Sequence, residues 1–270
     1  MGAAVPSHTR NMPEGDTIHY AANRIRPILE GHVPDELLTP HPRFGRDRWP
    51  EKLAGRAVRR VDAHGKHLFL RFEGNLTIHS HLRMSGSWGT YAKGDRWRRS
   101  PRRAWLVVRR DDREVVQFDG PVLELMTESR TRFERRLGDL GPDVLAEPFD
   151  RERFLRRLRE DDPTRGIGDA LLDQRIVAGI GNMWKAEGCW GAGVDPWRPL
   201  REVSDAEAVA TIEAVRPRML ESAEHGPGRH AGHGVYNRAG RPCPRCGTRV
   251  RARGQGDDNR TTFWCPGCQG

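Results

Sequence analysis

Lysine is almost missing from this chain of 270 residues. Only four of its 46 basic residues are lysines, at positions 52, 66, 93 and 185, so arginine carries nearly all of the positive charge. The formal net charge is +9. Because the planar guanidinium group makes bidentate contacts with phosphate, this composition favours a polyanionic partner over a merely basic surface.

Long apolar runs are missing as well. No stretch approaches the roughly 18 consecutive apolar residues of a membrane span, and the first eleven residues lack the apolar segment of a signal peptide. We therefore expect a soluble, intracellular protein with a disordered leader at residues 1–11. The apolar fraction of 36 %, with eight Trp and eight Phe, is still enough for compact cores and excludes wholesale disorder.

Cysteine is scarce, and the few cysteines are grouped. Four of the five form two CxxC pairs separated by 18 residues: Cys243, Cys246, Cys265 and Cys268. In a reducing compartment this spacing indicates a metal site rather than disulfides. Four thiolates match one tetrahedral Zn²⁺, and the strand-like residues 248–253 and 261–264 predict a β-hairpin between the pairs. Such a zinc ion has no open coordination position and is structural. An iron–sulfur cluster and a redox dithiol are the alternatives.

Hydrophobic periodicity divides the chain into a β-rich half and a helical half. An amphipathic helix is expected from about residue 16, with Asp16 or Thr17 as its cap and Gly31 after its end. Short segments rich in Val, Phe, Trp and Leu then predict a sandwich or barrel, at residues 56–62, 67–72, 76–79, 104–108 and 114–118, with an arginine-rich loop at 93–103. Beyond residue 140, helices are expected at 151–159, 167–177, 182–189 and 204–222, with a tight turn at 178–181.

The segment Met12-Pro13-Glu14-Gly15 opens the first helix. If translation starts at Met12, removal of that methionine leaves Pro13 with a free secondary amine, which titrates near ~8. Such an amine is a nucleophile at physiological pH. Its attack on a sugar aldehyde carbon gives an iminium cation, which is an electron sink. The local sequence alone favours the simpler alternative, an ordinary proline in the first turn of a helix.

Four features follow one another in a specific order: Pro13-Glu14-Gly15, a Gly65-Lys66 pair before a strand, the turn Gly179-Ile180-Gly181-Asn182, and the cysteine hairpin. With the stretches LGPDVL (140–145), LLDQRIVAGIGN (171–182), VYNRAGRPCPRCG (235–247) and FWCPGCQ (263–269), they resemble the formamidopyrimidine-DNA glycosylase / endonuclease VIII family of base-excision repair enzymes. The similarity extends over residues 12–269. It implies an α+β fold with an N-terminal helix and β-sandwich (12–139), a helix–two-turn–helix domain (140–228) and a zinc β-hairpin (229–270), after the leader at 1–11.

The resemblance implies a catalytic group at the start of the first helix. Pro13 matches the family's Schiff-base nucleophile. Glu14 matches the acid that protonates the sugar or the base as the glycosidic bond opens, and Lys66 matches a hairpin lysine that contacts a phosphate near the lesion. The alternatives are a first-turn glutamate that complements the helix dipole and a solvated lysine at a strand end.

The resemblance also implies a set of DNA-contacting residues. Asn182 starts a helix, where its side chain and the exposed N–H groups hold a phosphate, and Arg260 grips the phosphates that flank the damage. Arg83 and Met84 match a loop that fills the void left by an everted base, with Met84 as the wedge. The alternatives are a plain helix cap, one more arginine on a basic hairpin, and a methionine in the core.

The sequence departs from the family in three places. Residues before Pro13 make its nitrogen an amide, so we expect Met12 to be the true start or this form to be inactive. Thr17 stands where the family often has a glutamate, with Asp16 beside it. The segment FDGPVLELM (118–126) lacks the Arg-Phe pair of the purine-specific branch and is closer to the endonuclease VIII branch, which favours oxidised pyrimidines as substrates.

The sequence therefore predicts a bifunctional DNA glycosylase and AP lyase that releases oxidised bases and then catalyses β,δ-elimination. We expect a monomer with one structural Zn²⁺ that acts on double-stranded DNA with damaged bases or abasic sites, in the cytoplasm and at the nucleoid. Two alternatives stay open: a zinc-dependent DNA-binding protein without catalysis, and a purine-directed (8-oxoguanine) glycosylase of the same family.

Overall fold

A computed structural model describes residues 13–44, 47–227 and 232–269 of the chain. The predicted leader at 1–11 lies outside these residues. Throughout the described ranges, every helix is too short or too polar to cross a lipid bilayer.

The N-terminal half consists of helix α1 (Gly15–Leu29) and two antiparallel sheets, with a short helix α2 (Trp49–Leu53) between the first two strands. The strands are β1 (Glu36–Leu38), β2 (Val58–His64), β3 (His67–Phe72), β4 (Leu76–His81), β5 (Ser87–Ala92), β6 (Ala104–Arg110), β7 (Arg113–Phe118) and β8 (Val122–Thr127). One sheet has the order β2-β3-β4-β8 and the other has the order β1-β6-β7-β5.

One core is shared by α1 and both sheets. Its fully buried members come from all three layers and include Ile25, Leu29, Leu70, Ile78, Leu106 and Val115. Burial of each such side chain stabilises the fold by about 1.5–3 kcal/mol. The prediction of an α+β fold with an N-terminal helix on a β-sandwich is thereby confirmed. All five predicted strands are present, and their ends agree with the observed ones within two residues.

Three further strands, β1, β5 and β8, were not predicted from the sequence. Each of them lies at the edge of its sheet. Every residue of β5 is half-buried, so its side chains do not alternate between core and solvent. The alternation on which strand prediction depends is therefore absent there.

The C-terminal half is helical and ends in a hairpin. The helices are α3 (Glu128–Phe133), α4 (Arg135–Gly138), α5 (Arg151–Arg159), α6 (Ile167–Ala170), α7 (Asn182–Ala192), α8 (Asp205–Glu213) and α9 (Arg216–His225). The hairpin strands are β9 (Arg251–Gln255) and β10 (Arg260–Trp264), paired antiparallel. A second core surrounds Phe154 and Trp184, both fully buried. The predicted α5 has the observed bounds.

Two predicted helices are shorter in the structure. The helix expected over 167–177 ends at Ala170, because Asp173 caps a turn by accepting the Arg175 N–H at 3.0 Å, and the Gln174 carbonyl accepts the Gly141 N–H at 2.8 Å. The helix expected over 204–222 is divided into α8 and α9. Pro217 stands in the first turn of α9, where its missing N–H is tolerated, whereas it would interrupt one continuous helix.

The predicted cap of α1 is also wrong. Glu14, rather than Asp16 or Thr17, occupies the N-cap position, and its side chain does not cap its own helix. Asp16 lies inside the first turn, where its buried carboxylate accepts a hydrogen bond from Ser222 Oγ at 2.5 Å. This contact joins α1 to α9, so tertiary packing replaces the local cap.

Candidate active site and nucleic-acid interface

The predicted catalytic and DNA-contacting residues line one cleft of about 480 Å³. They come from five segments that are distant in sequence: Pro13, Glu14, Lys66, Arg83, Met84, Asn182 and Arg260. His81 and the acidic residues Asp169, Asp173, Asp257 and Asp258 also contribute to its walls. The structure thus brings together every predicted site residue other than the four cysteines.

Close backbone contacts lie next to the residues that line this cleft. The Gly15 N–H donates to the Gly179 carbonyl at 2.9 Å, and a Cβ atom on Gly15 would lie 2.9 Å from Gly179 Cα. A Cβ atom on Gly65 would lie 2.7 Å from Ala178 Cβ, and Gly65 has a φ of +55°. Only glycine permits both this approach and this backbone conformation. The start of α1 and the β2–β3 turn therefore rest directly on the turn that precedes α7.

Glu14 connects α1 with α7. Its side chain is 3 % exposed, and its carboxylate accepts the N–H groups of Gly181 and Met183 at 2.9 Å and of Trp184 at 3.3 Å. Burial raises the pKa of Glu14 to about 7, although the Lys66 ammonium and the α7 N–H groups oppose this shift. A carboxyl group with this pKa is partly protonated at physiological pH, as a general acid needs to be. These N–H groups at the start of α7 were predicted to hold a phosphate, but they donate to the Glu14 carboxylate instead.

Lys66 is the second residue of the two-residue turn between β2 and β3, in which Gly65 takes the left-handed first position. Asp143 fixes this turn, because its Oδ2 accepts the Gly65 N–H at 3.0 Å and lies 2.8 Å from His19 Nε2. Burial opposes the charge of Asp143, yet these hydrogen bonds keep its pKa below the usual range. Burial also lowers the pKa of Lys66, and the charge of Glu14 opposes that effect.

Asn182 and Lys185 hold the hairpin against α7. Asn182 Nδ2 donates to the Thr261 carbonyl at 2.8 Å, which leaves one amide hydrogen for another acceptor. Lys185 is 1 % exposed and donates to Thr262 Oγ1. Burial lowers the pKa of Lys185 to about 8. The two bonds fix β10 and so place Arg260, its first residue, at the cleft.

Met84 is 65 % exposed, in the turn between β4 and β5. The Gly86 N–H closes this turn on the Leu82 carbonyl at 2.9 Å, and Arg83 has a φ of +46°. This exposure excludes the alternative of a core methionine. His81 ends β4 beside it, and burial, with the charge of Arg83, lowers its pKa to about 4. Its imidazole is therefore neutral at physiological pH.

The four cysteines of the two CxxC pairs form a compact cluster. Their sulfur atoms all lie within 4.8 Å of one another. Cys243 Sγ is 3.8 Å from Cys268 Sγ, and Cys246 Sγ is 3.4 Å from Cys265 Sγ. Four ligands at about 2.3 Å from one tetrahedral ion require sulfur separations of this size. The cluster can thus hold one metal ion, and the predicted β-hairpin lies between its two halves.

Two family models match this chain. The N-terminal domain of formamidopyrimidine-DNA glycosylase matches residues 12–134, and the H2TH domain of the same enzyme matches residues 140–230. The chain belongs to the formamidopyrimidine-DNA glycosylase family. The predicted resemblance and the helix–two-turn–helix region are confirmed.

Individual relatives place this family member near the endonuclease VIII branch. It is 44 % identical to the "Probable endonuclease 8 2" of Streptomyces coelicolor, over 96 % of this chain and 94 % of the relative. It is 34 % identical to the "DNA-(apurinic or apyrimidinic site) lyase Nei2" of Mycolicibacterium smegmatis, over 96 % and 99 %. The fold matches the formamidopyrimidine-DNA glycosylase of Lactococcus lactis, solved on DNA with an AP site, with a TM-score of 0.78 at 23 % identity, over 95 % of this chain and 99 % of that one.

Three buried or half-buried groups of this glycosylase-family chain were not predicted from the sequence. Asp143 stands in the apolar stretch LGPDVL, and Lys185, one of only four lysines, follows the apolar residues Met183 and Trp184 in α7. Both were detectable as charges in apolar surroundings, which rarely occur without a partner. His81 is three residues before Met84, but its neutral state depends on burial that the sequence does not reveal.

Proposed function

We propose that the protein is a bifunctional DNA glycosylase and AP lyase of base excision repair that uses the Pro13 amine as its nucleophile. Its substrate is double-stranded DNA with oxidised bases, pyrimidines above all, or with abasic sites, and it acts in the cytoplasm, at the nucleoid. The observation that carries the proposal is that Pro13 and Glu14 lie in one cleft with the cations Lys66 and Arg260 and with the Asn182 amide.

The reaction follows from the chemistry of a secondary amine. The Pro13 nitrogen attacks C1′ of the damaged nucleotide, the bond between C1′ and the base breaks, and the amine loses its proton. The bond between C1′ and the ring oxygen O4′ then breaks, so that the sugar ring opens and C1′ becomes doubly bonded to the nitrogen. Glu14 supplies a proton to the departing base or to O4′. The resulting iminium cation acidifies the C2′ proton. Loss of that proton expels the 3′ phosphate, a second elimination expels the 5′ phosphate, and water then releases Pro13 from the remaining sugar fragment.

DNA lies between the two halves of the molecule in this proposal. The N-terminal part, 12–139, contributes the site residues Pro13, Glu14, Lys66, Arg83 and Met84. The helical part, 140–228, contributes Asn182. The hairpin part, 229–270, contributes Arg260. Lys66, Asn182 and Arg260 hold phosphates, while Met84 enters the base stack after the damaged base has left it.

We propose that the four-cysteine cluster holds one Zn²⁺, which is structural because four thiolates leave no open position. Replacement of one ligand by Cys265→Ser should remove the zinc and weaken DNA binding by roughly 10–100-fold, the effect of losing one charged hydrogen bond such as that of Arg260. The measurements are zinc content and the Kd for an abasic-analogue duplex. Cys189→Ala is the matched control, since Cys189 is buried outside the cluster. A Cys265→Ser protein with a full equivalent of zinc would contradict the assignment.

The preference for oxidised pyrimidines is supported by the short connection between β7 and β8. Phe118 is 1 % exposed in the core, and only residues 119–121 separate the two strands. A long gap-filling loop has no place there. We expect a competition assay with thymine glycol and 8-oxoguanine duplexes to give faster release of thymine glycol, by about tenfold or more, which needs a difference of ~1.4 kcal/mol between the barriers. Faster release of 8-oxoguanine would assign the chain to the purine-directed type instead.

A further inference from the structure

The arginine-rich loop, residues 93–103, runs back along the sheet toward the Met84 turn. β5 leaves that turn at Ser87 and ends at Ala92. Ser87 and Ala104, the first residue of β6, both pair with Phe118 of β7, whereas Ala92 pairs with the opposite end of β7. The loop therefore starts at the far end of the sheet and returns to the end that carries Met84.

Aromatic contacts anchor this loop on the sheet. The Trp97 ring lies 5.7 Å from the Phe118 ring and 6.3 Å from the Tyr91 ring, centroid to centroid. Trp97 Nε1 donates to Glu114 at 2.9 Å, and the Arg98 N–H donates to the Tyr91 hydroxyl at 3.3 Å. The apolar side of the loop covers a small core, so its course is fixed by packing.

The C-terminal end of the loop is hydrogen-bonded to the turn that carries Met84, residues 82–86, and to Asp119 beside it. Arg99 Nη1 donates to the Ser85 carbonyl at 2.7 Å and to Asp119 Oδ2 at 2.5 Å. Arg103 Nε donates to Asp119 Oδ1 at 2.9 Å, and Ser85 Oγ donates to the Asp119 carbonyl at 3.3 Å. These bonds make the loop and the turn one continuous surface at the edge of the cleft.

The outer side of the loop is strongly basic. It has five arginines and one lysine against a single aspartate, Asp95. Arg96, Arg98 and Arg102 are exposed, and none of the three has an ion-pair partner among the described residues. Arg96 and Arg98 line a cavity of about 1010 Å³, in which the second acidic residue of the wall, Glu114, is bonded to Arg109 and Trp97. Guanidinium groups held together without counter-charges favour a polyanion.

We propose that the arginine-rich loop is a second DNA-binding surface, which takes the backbone phosphates of the duplex that flanks the position entered by Met84. This inference rests on the proposed function, because it needs DNA in the cleft. Arg96, Arg98 and Arg102 make the phosphate contacts, and Arg99 and Arg103 hold the loop in place through Asp119. The site lengthens the bound stretch of duplex without touching the reacting nucleotide.

The test compares a triple variant, Arg96→Ala/Arg98→Ala/Arg102→Ala, with a control triple, Arg48→Ala/Arg151→Ala/Arg201→Ala. The control removes the same charge from exposed arginines that line neither cavity. Kd is measured against KCl concentration on a long duplex and on a short duplex that ends close to a central tetrahydrofuran abasic analogue. Each phosphate contact contributes about 0.9 to the slope of log K against log salt. The loop variant should lose about 2–3 from this slope on the long duplex and almost nothing on the short one, while the control keeps the wild-type slope.

Three results would overturn the proposal: an unchanged slope in the loop variant, an equal loss on both duplexes, or an equal loss in the control. An equal loss on both duplexes would place the contacts at the lesion, and an equal loss in the control would make them a general charge effect. Tighter binding of a protein or a single-stranded RNA than of duplex DNA, lost only in the loop variant, would assign the surface to that other partner. Borohydride trapping of the protein that begins at Pro13 is independent of the loop, so failure of that trapping would overturn the proposed function and be distinguishable from failure of the loop proposal.

Discussion

Sodium borohydride should trap the protein covalently on an abasic-site duplex when Pro13 carries a free amine, and only then. The iminium between Pro13 and C1′ is reduced to a stable tertiary amine. A Pro13 nitrogen in a peptide bond has no free lone pair and forms no iminium. The experiment compares a protein that begins at Pro13 with one that begins at Met1. We expect nearly complete conversion to the adduct with the first form and none above background with the second.

The same experiment can locate any other nucleophile. An adduct with both forms would place the reacting amine elsewhere, and a chain with only four lysines leaves few candidates for peptide mapping. Lys66 is in the cleft and Lys185 is buried behind it, so these two would be mapped first. The absence of an adduct with either form would refute the lyase mechanism.

Replacement of the acid, Glu14→Gln, should slow base release by about 10²–10⁴-fold, the usual contribution of a general acid. The pH profile gives a second signature. The pKa of Glu14 is raised to about 7, so the acid form that donates the proton is depleted as pH rises through that value. Wild-type base release measured in single turnover should therefore fall above pH ~7. That limb should disappear in Glu14→Gln, and undiminished base release by this variant would contradict the assigned role.

The Glu14 carboxylate can also be displaced without loss of its charge. In Gly181→Ala the new Cβ atom would lie 2.4 Å from Glu14 Cδ and 2.6 Å from Oε1, so the carboxylate must leave the α7 N–H groups. We expect base release to fall as in Glu14→Gln, with intact DNA binding. Gly232→Ala is the matched control, since its Cβ atom would meet nothing within 4 Å. Equal activity of the two alanine variants would mean that the position of Glu14 is unimportant.

The raised pKa of Glu14 should also make the folded protein less stable, relative to the unfolded chain, as pH rises. Between its ordinary value of 4.5 and about 7, Glu14 binds a proton in the folded chain that the unfolded chain has released. Glu14 therefore makes its full contribution to the free energy of unfolding below its ordinary pKa of 4.5. This contribution is lost as pH rises through the raised pKa of about 7.

Local patterns in the sequence predicted much of the fold. β3 and α5 have the expected bounds because their apolar spacing agrees with their final environment. The predictions fail where distant segments decide the conformation. Gln174 leaves the helical path because its carbonyl bonds to Gly141, and Asp16 does not cap α1 because Ser222 binds its carboxylate.

The candidate active site shows the same contrast between features predicted from local sequence and features fixed by distant segments. Seven of the residues that line the cleft were predicted from the motifs shared with the family, because chemistry restricts which side chains can stand there, whereas His81 and the acidic residues of its walls were not predicted. The supporting contacts were not predicted either, since the partners of Glu14 are almost 170 positions away in the chain and those of Asp143 are about 80 and 120 away. A single sequence contains no record of such pairings.

The glycine contacts next to the cleft have a mechanical consequence. They join the two halves beside Glu14, because Gly15 and Gly65 of one half meet the 178–181 turn of the other within bonding or contact distance. The halves are also bonded through Asp16 of α1 and Ser222 of α9, so Glu14 lies inside a close-packed joint and keeps its alignment with α7. A ligand that widens the cleft would therefore displace the exposed side chains of Met84 and Arg260 before it displaces Glu14.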